Sequence, residues 1–177
     1  MKSIGEQASV AVNWWRGLQP NTATAERNRT GDRAALARLR RADLLAAMSD
    51  PATFDLFREF GCSRREYWYL PAVALCAAVL AGVREDRPDH PAHTLAVEPA
   101  MMKPLRFRRL IETDTPQERL ILLRRAVQLV RHRVYVRELA AASLDWTEDR
   151  RRKWIFEYYA AGFAAPAAEP NLETSQV

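Results

Sequence analysis

At 177 residues and 20.2 kDa, the chain is long enough for one compact domain or two small ones. Hydrophobic residues make up 48% of it and the aromatic share is ordinary, which excludes a disordered chain. A net charge of +5 and a pI near 9.6 permit an anionic partner without requiring one.

Ser3 and Glu6 have the spacing of a capping box, and Ile4, Ala8, Ala11, Trp15 and Leu18 follow at helical intervals. Residues 3–18 therefore read as the first helix. Trp14 and Trp15 point to different sides of it. The ring outside the stripe is open to stacking on a base, but packing on a neighbouring helix is the commoner use and the one expected. Residues 19–31 are polar, hold Pro20, Asn21, Asn28 and Gly31, and read as a loop. Asp32 offers an N-cap to a second helix over 32–48, rich in Ala, Leu and Arg. Arg33 and Arg40, seven apart, share a face flanked by Arg38 and Arg41; for any one of these arginines a solvated helix face is the expected role ahead of a ligand contact. Asp50-Pro51 opens a short helix over 51–60 that Gly61 ends, with Phe54, Phe57 and Phe60 expected in the core. Ser63 and Glu66 form another capping box, opening a helix through Ala81 that Pro71 must kink or split and Gly82 closes. Its run over 67–83 is short for a membrane span and flanked by Arg64, Arg65, Arg84 and Glu85, so it reads as a buried helix.

Residues 84–104 hold Pro88, Pro91, Pro99 and Pro104 and no apolar period, and read as the connection between a unit over 1–95 and one over 105–163. His90 and His93 near Asp86 and Asp89 are metal-ligand types, but their spacing is loose and no third ligand has a defined offset; no metal or cofactor is expected. A helix over 105–113 turns Phe107, Leu110 and Ile111 inward and carries Arg106 and Arg109 together. The long helix expected over 113–136 organises the second half. Thr115 and Glu118 form its capping box, Pro116 takes the first helical position, and Leu120, Leu123, Val127, Val130 and Val134 make one stripe. Arg124, Gln128 and Arg131 lie on another side, with Arg125 and His132 beside them. A helical segment over 139–144 precedes a last helix from the N-cap candidate Thr147 to about Ala161, with Trp154, Tyr158 and Ala161 inward. Its consecutive Arg150, Arg151, Arg152 and Lys153 point all round, so not all four can face one ligand. Residues 164–177 read as a disordered tail. No segment alternates with period two. The expected fold is all-α: two small helical bundles joined by a Pro-rich connection.

Arginine supplies 24 of the 27 basic residues. That suits bidentate phosphate contacts, yet an Ala- and Arg-rich chain is also what a GC-rich genome produces, so the total discriminates weakly. The distribution says more. Residues 103–153 hold 14 basic and 7 acidic residues, whereas the rest holds 13 and 15, so the positive excess belongs to the second half. Cys62 and Cys76 match no metal spacing, and the first residues lack the apolar core of a signal peptide; a reduced, cytoplasmic setting is expected. Phosphate-loop, nucleophile-elbow, HExxH and CxxC patterns do not occur, and the three His supply little general-base material, so catalysis is not expected.

Six stretches in series resemble one family. WWRGL at 14–18, GDRAALARLRRA at 31–42, YLPAVALCAAVLA at 69–81, LRFRRLI at 105–111, LRRAVQLV at 123–130, and LDW with RRRKWIFEYY at 144–159 are similar to the CasB small subunit of the type I-E CRISPR surveillance complex, Cascade. The resemblance implies an all-α, non-enzymatic subunit of two helical bundles, lying as a head-to-tail pair within an RNA-guided complex. Its implied partners are the backbone and large Cascade subunits, the guide RNA, the target DNA and a second copy of itself. Its basic surfaces would help hold the strands of the R-loop, including the displaced one. Where a family stretch and a surface arginine coincide, the expected phosphate contacts are Arg40, Arg41, Arg106, Arg109, Arg124, Arg125, Arg131, Arg151 and Lys153. For each, a solvated or ion-paired role stands beside the functional one. Two other readings compete: an assembly scaffold whose basic faces meet protein partners, and a helix-turn-helix regulator, whose short turn and recognition helix are not evident.

Overall fold

Short polar side chains start most of the early helices by taking up the first unpaired N–H groups. The computed structural model describes residues 1–20, 32–96 and 101–161. Before α1 (Ile4–Leu18), Ser3 Oγ accepts from the Glu6 N–H at 3.4 Å and Glu6 Oε2 accepts from the Ser3 N–H at 2.8 Å, the expected reciprocal pair. Asp32 caps α2 (Arg33–Arg41), Asp43 caps α3 (Leu44–Met48) and Asp50 caps α4 (Pro51–Glu59). The single helix expected over 32–48 is thus two. Ala42 turns extended, and Asp43 Oδ1 accepts from the Ala46 N–H at 2.8 Å, restarting the helix.

Gly61, at φ +75°, takes the left-handed turn that ends α4. Phe57 and Phe60 are buried, but Phe54 is exposed, contrary to expectation. Residues three apart precess by about 60° per step on an α-helix, so the outermost of three leaves the buried sector. Pro71 splits the next helix: a 3-10 helix (Arg64–Tyr69) runs into α5 (Leu70–Leu80), with the proline in the first turn of α5. Every residue from Val73 to Leu80 is buried, and α5 packs against α3 and α4. Burying each of its Val and Leu side chains stabilises the fold by about 2 kcal/mol.

Beyond α5 come β1 (Glu85–Asp86), α6 (Pro91–Ala96), α7 (Pro104–Ile111), α8 (Pro116–Leu129), β2 (Arg133–Val134), α9 (Val136–Leu144) and α10 (Glu148–Ala160). The two-residue strands pair in parallel, Glu85 with Arg133 and Asp86 with Val134. This pairing corrects the expected helix over 113–136. It ends at Leu129, because the Arg84 and Glu85 N–H groups both donate to the His132 carbonyl and draw the chain out of the helical path. Arg131 and His132 adopt left-handed φ values of 53° and 64°, so Arg131 does not share a helix face with Arg124. Val134 is buried, but in a strand. Thr115 Oγ1 accepts from the Glu118 N–H at 3.3 Å, whereas the Glu118 carboxylate lies 3.7 Å from Arg109 Nε. Thr147 sits at the N-cap of α10 without a capping bond from its side chain.

Among the described residues the fold is all-α apart from this strand pair. Helices from both sides of the connection share one core: α9 lies against α1 and α5, and α8 against α5, while α6 packs on α10. Trp14 and Trp15 are both buried. Among the described residues no His, Cys, Asp and Glu cluster could hold a metal, and no helix is long and apolar enough to cross a membrane. The loop expected over 19–31 falls largely outside the described residues, as do positions 97–100 of the connection and the tail over 164–177.

Candidate nucleic-acid interface

Ala35, Leu36 and Leu39 bury one side of α2, which turns Arg33 and Arg40 towards the end of α1. There Asn13, Trp15, Arg16, Gly17 and Gln19 join Arg33, Leu36, Arg40 and Arg84 around one broad hollow. The indole of Trp15 donates to the Val83 carbonyl at 3.3 Å, tying α1 to the chain just before Arg84. Arg16 Nη2 lies 3.2 Å from Asp86 Oδ2, and that carboxyl also accepts from the Val136 N–H at 3.0 Å through Oδ1. Arg33, Arg40 and Arg84 have no carboxylate partner among the described residues. Arg40 Nε donates to the Ala81 carbonyl at 2.6 Å, so its guanidinium answers the C-terminal end of α5. Burial, and then the charge of Arg84, lower the Arg40 pKa below the ordinary guanidinium range.

A smaller hollow adjoins it, with Arg40, Arg84, Arg124, Gln128 and His132 around Ala78, Val79, Gly82 and Val127. Gly82 suits the tight end of α5: a Cβ there would come 3.3 Å from the Val79 carbonyl oxygen, and in ordinary contact, 3.7 Å, with Val127 Cγ1 of α8. His132 Nδ1 is 2.7 Å from the Gly82 carbonyl oxygen. Arg124 reaches across to α2, donating from Nη1 to the Ala42 carbonyl at 2.7 Å and from Nη2 to the Leu39 carbonyl at 2.5 Å; burial lowers its pKa. The two hollows thus gather Arg16, Arg33, Arg40, Arg84 and Arg124. The guanidinium groups of such a surface can donate in pairs to anionic oxygens.

Of the residues expected from sequence, only Arg40 and Arg124 meet here, and Arg124 is largely committed to backbone carbonyls. Arg41 and Arg125 are exposed, with no side-chain partner among the described residues. Arg106 and Arg109 are exposed on α7, the latter near Glu118. Arg131 lines a separate depression with Arg87 and Arg133. Arg151 is half-buried, donating to the Thr113 carbonyl at 3.2 Å. Lys153 Nζ lies 3.2 Å from Glu138 Oε2. Burial alone would raise the Glu138 pKa, but His90, Lys153 and Arg150 together hold it down to about 2. Sequence reasoning missed Arg16, Arg33 and Arg84 as members of one site, and placed Gln128 and His132 beside Arg124 without counting them as contacts. The i, i+7 spacing of Arg33 and Arg40 was a usable signal; nothing local announces Arg84, whose position depends on the closure of α5 on α8.

A family model described as CRISPR-associated protein Cse2 matches residues 35–159, from within α2 almost to the end of α10. The resembling stretch WWRGL at 14–18 lies before that range. Among solved structures, a chain in the crystal structure of E. coli Cascade bound to a PAM-containing double-stranded DNA target is similar to this one. Its TM-score is 0.62 at 16% identity, over 85% of this chain and 97% of that one. That likeness is one of fold. No curated protein matches. With the family model running through nine of the ten α-helices among the described residues, the chain belongs to the Cse2 family of CRISPR-associated proteins.

Proposed function

We propose that the chain is a non-catalytic subunit of an RNA-guided, DNA-targeting complex of the Cascade type, holding nucleic-acid backbone on its arginine surfaces and so stabilising the R-loop. The observation that carries this reading is the hollow where Arg33, Arg40 and Arg84 converge with no carboxylate partner among the described residues. A phosphodiester chain supplies the missing anions, and each contact releases condensed counterions. Exchange of a DNA duplex for an RNA–DNA duplex is nearly balanced, so a few such contacts tip it. The solved complex that contains a chain of this fold was crystallised on a DNA target, which supports the same class of ligand here. On this reading the partners are the backbone and large Cascade subunits, the guide RNA, the target DNA and a second copy, in the cytoplasm. Exposed Arg41, Arg106, Arg109, Arg125 and Arg131, and the more engaged Arg151 and Lys153, are proposed as further phosphate contacts outside the hollow.

Fluorescence anisotropy with single-stranded and duplex oligonucleotides of unrelated sequence, titrated with salt, tests the reading. Affinity should ignore sequence and fall linearly in a log–log plot against salt. The Arg33→Ala/Arg84→Ala double variant should reduce that slope by about two. A folded double variant with unchanged affinity and slope would overturn it. Leu105 on α7 and Phe156 and Tyr159 on α10 are exposed, and this apolar surface favours a second reading, an assembly scaffold. Under it, the chain binds no oligonucleotide even at low salt, and Phe156→Ser abolishes co-purification with the other subunits.

A further inference from the structure

The 3-10 helix Arg64–Tyr69 presents two of the largest side chains in the protein to solvent: Tyr67 is 75% exposed and Trp68 61%. This is not looseness. At one end Ser63 and Glu66 cap the turn reciprocally, the Ser63 N–H donating to Glu66 Oε2 at 2.7 Å. At the other, Tyr69 is buried and its hydroxyl donates to Gln7 Oε1 at 2.7 Å. The two rings between are held outward on a backbone fixed at both ends. Tyr67 borders a shallow apolar depression with Phe54, Phe57, Cys62 and Leu70.

The charges around these rings are positive and unanswered. Arg64 and Arg65 are exposed and have no side-chain partner among the described residues. Of the acids close by in sequence, Asp55 pairs with Arg58, while Glu66 is held by Ser63, whose hydrogen bonds lower its pKa; Glu59 adds a carboxylate that has no ion pair among the described residues. Glu66, at φ −94° and ψ 22°, kinks this short helix between the two arginines and the two rings. The exposed guanidinium groups and the exposed rings nevertheless share one six-residue segment. A nucleobase stacks on such a ring while its backbone phosphate meets the cation. Bases within a duplex are already stacked on one another and cannot do this.

We propose that Tyr67 and Trp68, with Arg64 and Arg65, form a stacking platform for unpaired bases, so that this face takes single-stranded nucleic acid in preference to duplex. The proposal rests on the backbone-binding reading above and adds base contact and strand preference to it.

Tryptophan emission reads this platform directly. Trp14, Trp15, Trp146 and Trp154 are each at most 7% exposed, leaving Trp68 as the one indole of five that a base can reach. Titrating the full chain with an oligothymidylate should quench its emission, and a duplex of equal length should not. Trp68→Phe should remove the quench while keeping a ring. Trp68→Ala should weaken single-strand binding about tenfold and leave duplex binding unchanged. Salt-sensitive binding by anisotropy with no Trp68 quench would overturn the platform and leave the backbone reading standing. Unchanged oligonucleotide affinity in Trp68→Ala, with loss of another subunit on co-purification, would assign the face to protein instead. Absence of any oligonucleotide binding would overturn both readings.

Discussion

Arg124 and Arg125 are neighbours on α8 with opposite duties. Arg125 lies in solvent without a side-chain partner among the described residues, whereas Arg124 donates to the carbonyls of Leu39 and Ala42 where α2 ends. No glycine follows α2 to turn its last carbonyls back on the helix, and the guanidinium does that work from outside. Removing it strands two acceptors in a half-buried place. Arg124→Ala should lower the unfolding free energy by about 3 kcal/mol in urea titrations, and Arg125→Ala should change it by no more than about 0.5 kcal/mol. Equal losses would show that α2 does not depend on the clamp. A binding test by charge reversal therefore belongs at Arg125, Arg33 or Arg84 and not at Arg124. The sequence marks both residues alike, as arginines off the apolar stripe. Which one is spent internally follows from α2 arriving beside α8, a contact 82 residues away in the chain.

At the level of elements, most helix starts were legible, as was the end that Gly61 sets, but the break in the long helix was not. Ser3, Asp32, Asp50, Ser63 and Thr115 all accept the bonds that their spacing foretells, because a cap is a contact between residues two or three apart. The break at 130–135 depends on pairing with 84–86, which no local pattern records. That break forces Arg131 into a left-handed conformation that costs a non-glycine residue about 1–2 kcal/mol. Arg131→Gly should relieve it and, after the extra chain entropy of glycine, raise stability by about 0.5–1 kcal/mol in thermal or urea unfolding. His132→Gly should not stabilise, because His132 Nδ1 is engaged with the Gly82 carbonyl at 2.7 Å. A loss of stability in Arg131→Gly would mean that the arginine side chain holds the turn.

Over the whole molecule, the proline-rich connection announced a boundary, and the apolar stripes named the core residues without saying which helices they would meet. We propose that 1–95 and 105–163 are divisions of the chain that fold as one. The packing argues for it: α5 supplies a wall of buried Val, Leu and Ala to helices on both sides, and α9 from the second half lies against α1 and α5 of the first. Separating the halves would expose those faces together, so neither gains by unfolding alone. The tryptophans make this measurable. Trp14 and Trp15 are buried in α1, and Trp146 and Trp154 are buried at and within α10. Replacing one pair and then the other by Phe, with Trp68→Phe in both backgrounds, gives two emission probes, one in each half. Both should report the same urea midpoint as far-ultraviolet circular dichroism in the corresponding variant. Midpoints that separate by half would establish two independent domains and confine the shared core to a contact made after each has folded. Coincident midpoints would mean that the hollow between α2, α5 and α8, where Arg40, Arg84 and Arg124 meet, exists only in the complete fold. A fragment carrying either half would then lack the site even with all of its own arginines present.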